Sequence, residues 1–166
     1  MPRQQPTSVT RATQVLTALV VLGGVAAVLT VFLEDELVRS WAEGNASVRR
    51  TYRAGGLEAV EASSVQIPAF VPVALVLFAT MAGLAWVLDV FFRAGHEWAR
   101  ISLVVLIGFT AIGTVAGIQT GPPTVFVVFS VASLVLEVVY LWFLLHRDTT
   151  AYLHGVDAPA PADASR

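Results

Sequence analysis

Residues 15–33 read VLTALVVLGGVAAVLTVFL, and Thr17 and Thr30 are the only side chains in that run with polar atoms. At ~1.5 Å per residue a helix of this length just crosses a hydrocarbon core ~30 Å thick. The apolar region of a signal peptide is shorter, ~7–15 residues, and is followed by a small-x-small cleavage site. Here the run ends in Val31-Phe32-Leu33-Glu34. It is therefore read as an uncleaved first span, preceded by a polar arm over residues 1–14 in which Pro2 and Pro6 oppose a helix at the start.

Three further apolar runs follow, about 67–92, 101–118 and 124–145. Pro68 and Pro72 fall in the first turns of the second run, and Pro122-Pro123 open the fourth, where a missing N–H costs least. The expected fold is all-α: an antiparallel four-helix transmembrane bundle with a short helical extracytoplasmic loop between spans one and two.

Composition points the same way. Apolar residues make up 56% of the 166 residues and charged residues 13%, against roughly 25% charged in soluble domains. A globule this small cannot hide so much apolar surface from water. A cytosolic enzyme, a disordered chain and a nucleic-acid binder are all disfavoured. Cysteine is absent, which removes disulfides, thiolate metal sites and thiol redox chemistry. The net charge of −2 is too small to steer charged partners.

The one sizeable polar loop, residues 34–66, mixes six acids with four arginines. Leu37 and Trp41, and Val48 and Tyr52, stand at i,i+4, while Leu57 and Val60 stand at i,i+3. With glycines at Gly44 and Gly55-Gly56, the loop reads as short amphipathic helices whose apolar stripes lie on the membrane surface or the bundle end. Asn45-Ala46-Ser47 fits a glycosylation sequon, a match that arises readily by chance.

Orientation follows from arginine. Arg93 and Arg100 lie in the short loop between spans two and three, and the loop 119–123 carries no charge. Both termini are therefore expected in the cytoplasm, with Arg3, Arg11, Arg147 and Arg166 on the same side. Trp98 and Trp142 should lie at the cytoplasmic interface. Asp89 and Arg93, at i,i+4, read as a snorkelling interface ion pair. The tail 146–166 reads as solvated, with Thr149 and Thr150 beside Arg147, and its end, Ala158–Ala162, as unfolded.

Spans associate through small residues that let backbones approach. Gly23 and Ala27, Ala79 and Gly83, and Gly113 and Gly117 supply such seams, most simply for packing within the chain. The fourth span carries Ser130, Ser133, Glu137 and Tyr140 at spacings of 3, 4 and 3, hence on one helix face. Glu137 lies about 12 Å from the cytoplasmic end of its helix at helical rise. On lipid it would be costly, so this face should point inward. Two roles fit Glu137: a hydrogen-bonded core carboxyl that holds the helix in register, or a proton or cation site. Gln14, Thr17 and Gly108 lie at similar depth.

The histidines His96, His146 and His154 sit at span ends or in the tail. No pair is placed to hold haem, no metal ligand set or nucleophile-base pair is seen, and no cofactor is implied.

Arg93-Ala94-Gly95-His96-Glu97-Trp98-Ala99-Arg100 before the third span, and Asp148-Thr149-Thr150-Ala151-Tyr152-Leu153-His154-Gly155 after the fourth, resemble segments of small four-span membrane proteins of actinobacteria, mostly uncharacterised. In those a G-x-x-W-A-R turn and an aromatic-containing segment after the last helix recur. The resemblance covers about residues 10–155 and implies a plasma-membrane location but no activity. The leading expectation is a non-enzymatic accessory or scaffold component, its partners being the bilayer and either another membrane protein or further copies of itself. The alternative is a small proton- or cation-coupled transporter or channel subunit using Glu137.

Overall fold

The computed structural model describes residues 6–154. Arg3, Arg166 and the Ala158–Ala162 stretch lie outside them. Seven helices follow one another among the described residues: α1 Thr7–Phe32, α2 Glu34–Gly44, α3 Arg49–Glu61, α4 Phe70–Arg93, α5 Glu97–Gln119, α6 Thr124–Leu144 and α7 Arg147–Leu153. The same residues contain no strand. Helices α1, α4, α5 and α6 are long and apolar enough to cross a membrane.

The four long helices pack in a ring, α1 on α4, α4 on α5, α5 on α6 and α6 on α1. Their outward faces are apolar and unpartnered: Phe32, Trp86, Phe109, Ile112, Val138 and Trp142 are all more than two-thirds exposed. That inside-out distribution is compatible with a multi-pass membrane protein, because lipid tails solvate such surfaces and water does not.

The tight core occupies one end of the ring. Val9, Ala12 and Leu16 from α1, Leu88 and Phe92 from α4, Ala99 and Leu103 from α5, and Tyr140 and Leu144 from α6 form one buried cluster. Helix α1 accordingly starts earlier than expected. Residues 7–14, read from sequence as part of a polar arm, are helical. Pro6 stands at the N-cap, where it costs the helix no hydrogen bond. Val9, Ala12 and Leu16 then recur at helical spacing and bury an inward stripe. Helix α4 starts later than expected: Pro68 precedes it and only Pro72 lies in its first turn.

Residues 147–153 after α6 are helical and docked, not part of a solvated tail. Helix α7 folds back across the tight end. Thr149 is fully buried, and its Oγ1 lies 2.9 Å from Ser8 Oγ and 2.8 Å from the Phe143 carbonyl. The Tyr152 hydroxyl donates to the Arg93 carbonyl at 2.9 Å, and Arg100 Nη1 donates to Thr150 Oγ1 at 3.0 Å. Gly95 turns the chain between α4 and α5 at φ +90, a conformation that disfavours any side chain. Thr149→Val should strand the Ser8 hydroxyl and loosen α7, at a cost of ~1–3 kcal/mol. The check is hydrogen exchange: amides of residues 147–153 should lose protection while those of α5 keep theirs.

At the other end α2 and α3 pack on each other around Ala42, Val48 and Val60, with Trp41, Tyr52, Val65 and Ile67 against them. The apolar stripes of the loop thus build a small core of their own. The Ser40 hydroxyl donates to the Gly121 carbonyl at 2.7 Å and ties this cap to the turn between α5 and α6. Helix α3 is broken at Gly55-Gly56, and Gly56 adopts φ 67, ψ −157. That region is open essentially to glycine alone. Gly56→Ala should therefore cost ~1–3 kcal/mol, read as lower thermal stability of the cap by Tyr52 fluorescence.

Candidate functional site

The four-residue stripe on α6 faces inward as its spacing requires. Glu137 and Tyr140 are buried, and Ser130 and Ser133 are half-buried. Glu137 lines a partly open cavity of about 200 Å³ between α1, α4, α5 and α6. Its walls are largely apolar, including Leu16, Leu19, Phe78, Met81, Ala82 and Ile107, with Thr110, Thr114 and Ser133 as the other polar side chains. A second cavity of about 170 Å³ shares Gly23, Thr114 and Ser133 with the first and extends past Ser130. Ser130, Ser133 and Glu137 are thus spread along two adjoining spaces, while Tyr140 lies in the tight end of the ring.

The hydrogen bonding of Glu137 is thin. Ser133, one turn earlier on the same helix, donates to Oε1 at 3.2 Å. Oε2 is buried and has no hydrogen-bond partner among the described residues. The register-holding role needs a bond to another helix, and Glu137's one hydrogen bond, to Ser133, stays on its own helix. Gln14 and Thr17, at similar depth by count, are exposed, and the Thr17 hydroxyl bonds the Thr13 carbonyl on its own helix. Gly108 is half-buried on α5. Tyr140, one turn from Glu137, is fully buried with its hydroxyl also unpartnered.

Asp89 differs from the expected interface pair. Its side chain is 8% exposed, the Arg93 Nε lies 2.9 Å from its Oδ2, and Thr13 Oγ1 donates to its Oδ1 at 2.9 Å. It joins α1 to α4 inside the tight end, because the early start of α1 brings Thr13 to it. Arg93 itself is 41% exposed and reaches outward, as snorkelling requires. Arg100 is held by Thr150 and by Glu97 Oε1 at 3.2 Å. Trp98 is half exposed and packs on Phe91 at 5.1 Å between ring centroids, whereas Trp142 projects freely.

The small residues divide. Gly23 packs against Phe78, and Ala27 is buried. Ala79, Gly83, Gly113 and Gly117 are exposed, with open space where a Cβ would stand on each of the three glycines. These pairs do not form seams within the chain. Gly83 lies two residues from buried Ala85 and therefore on the opposite helix face.

Sequence reading missed Thr13 as the partner of Asp89, Ser8 as that of Thr149, and Phe78 with Thr110 and Thr114 as cavity walls. The Ser8, Val9, Ala12, Leu16 spacing was the available signal for the first two, once the helix is extended back to Pro6. The chain matches no protein-family model, no curated protein and no solved structure.

Proposed function

We propose that this chain is a non-enzymatic accessory or scaffold protein of a bacterial plasma membrane. Its four long helices form an antiparallel transmembrane bundle with both termini cytoplasmic and the α2–α3 cap outside. The arginines of the short 93–100 loop, against none in 119–123, support that orientation. The observation that carries the role is how the polar side chains at the ends of the bundle are used. Thr149, Tyr152, Thr150 and Arg100 fasten α7 across one end, and Ser40 fastens the cap at the other. These groups close and brace the bundle, as a scaffold requires, and leave the charged cap surface, including Arg53 and Glu58, for a partner.

The cavity at Glu137 favours a second reading, a small proton- or cation-coupled transporter or channel subunit. Flux separates the two. Protein reconstituted in vesicles with a trapped pH dye should pass no more protons than empty vesicles. A photo-cross-linker at Glu58 in living cells should trap one defined membrane protein, and the same probe at lipid-facing Phe109 should not. Proton or cation flux that disappears in Glu137→Gln at unchanged stability would overturn the scaffold reading in favour of the transporter.

A further inference from the structure

The polar groups around the larger cavity share one property. Thr110 Oγ1 donates to the Ile107 carbonyl at 2.9 Å, with the Leu106 carbonyl at 3.2 Å. Thr114 Oγ1 donates to the Thr110 carbonyl at 2.8 Å. Ser133 Oγ donates to Glu137 Oε1. Each hydroxyl has one proton, and each has committed it to the protein. What remains for a ligand is lone pairs and the Glu137 carboxyl, whose Oε2 is buried and unpartnered. The terminal carboxyl torsion is broad, so rotation can present either oxygen to the cavity.

A site built of acceptors calls for a donor. Among the described residues no Arg or His side chain lines this space, so an ionised Glu137 has no countercharge from them, and such charges inside a membrane mark binding sites. The remaining walls are apolar, with the Met81 thioether and the Phe78 ring among aliphatic side chains. A hard metal ion takes six or more oxygen ligands or keeps its waters, and these walls supply neither. An ammonium group on an apolar body fits both features: three N–H donors and a positive charge at Glu137, and hydrocarbon against the walls. Size sets the body. A cavity of roughly 150 Å³ holds benzene, so about 200 Å³ takes an aromatic ring or short alkyl chain with its amine. The adjoining cavity beyond Gly23 and Ser133 leaves room for a longer tail.

We propose that the Glu137 cavity is a binding site for a small apolar amine in its protonated form, with Glu137 as the anionic anchor and the Thr110, Thr114 and Ser133 hydroxyls as acceptors. The inference rests on the membrane reading of the four helices. It requires no transport, so the flux assay and a binding assay fail independently.

The test uses the full chain in phosphatidylcholine nanodiscs and 2-phenylethylamine as the probe, measured by equilibrium dialysis against empty nanodiscs. Saturable binding at one site per chain is expected. Glu137→Gln should weaken it by about tenfold or more, as loss of a charge-assisted hydrogen bond does. The neutral 2-phenylethanol should bind the wild-type protein weaker by a similar factor. Ala82→Leu, which adds bulk to the cavity wall and leaves the Glu137 carboxyl in the chain, should abolish binding. Absence of saturable binding above empty nanodiscs would overturn the proposal. So would equal affinity for the alcohol and the amine, or unchanged affinity in Ala82→Leu. The last two comparisons hold even if Glu137→Gln does not fold, which thermal melts of each variant establish.

Discussion

Phe92→Ala is expected to destabilise the bundle by ~2–3 kcal/mol, while Phe109→Ala leaves it within ~0.5 kcal/mol. Both remove the same atoms from a long apolar helix. Phe92 is fully buried in the cluster that joins all four long helices, and Phe109 is 72% exposed. In water a buried Phe→Ala costs ~3–5 kcal/mol, part of it the transfer of the ring from water. Lipid tails solvate a phenyl ring about as well as the core does, so that part largely vanishes. The lost packing and the cavity remain. Equilibrium unfolding in mixed micelles reads the difference directly. Equal losses at both positions would mean that the outward face is not solvated by hydrocarbon.

Arg93→Met should cost about 2–3 kcal/mol, more than Asp89→Ala. The Asp89 carboxylate is buried, so removing Arg93 leaves a buried charge without its neighbour. The value falls below the usual 3–5 kcal/mol because Thr13 still donates to Asp89. In Asp89→Ala the guanidinium, already 41% exposed, stays in reach of water, and ~1 kcal/mol is expected. The order of the two variants is the sharper check. Thr13→Val in the Asp89→Ala background should add little, because the two groups share one interaction.

These residues also show what could be read before the structure. The four apolar runs and the inward stripe on α6 were legible because a period of 3.6 and an apolar length near twenty are local properties of the chain. The partners of Asp89 and Thr149 were not. Thr13 is 76 positions from Asp89, and Ser8 is 141 positions from Thr149. Both lie in a segment whose polar composition suggests an arm until its buried stripe is seen. The direction of the small-residue seams was equally hidden. Spacing shows that Gly113 and Gly117 share a face, but glycine carries no side chain to report whether that face meets a neighbour or lipid. Tail residues 147–153 misled in the opposite sense, since Thr149, Thr150 and Tyr152 use their hydroxyls to dock. The Glu137 stripe was legible as a face. That the carboxyl has a hydrogen-bond partner at only one of its oxygens was not, because that depends on what α1, α4 and α5 fail to offer it.

The most direct test of Glu137 as a group kept for binding is the stability of Glu137→Leu in lipid nanodiscs, without added ligand. Its one hydrogen bond, to Ser133, is intrahelical, and Oε2 has no partner, so an apolar side chain of similar size removes an unsatisfied polar group. The expected result is stability within ~0.5 kcal/mol of wild type or above it. A loss of ~1–2 kcal/mol, the size of an interhelical hydrogen bond in membrane peptides, would contradict it and return Glu137 to a structural role.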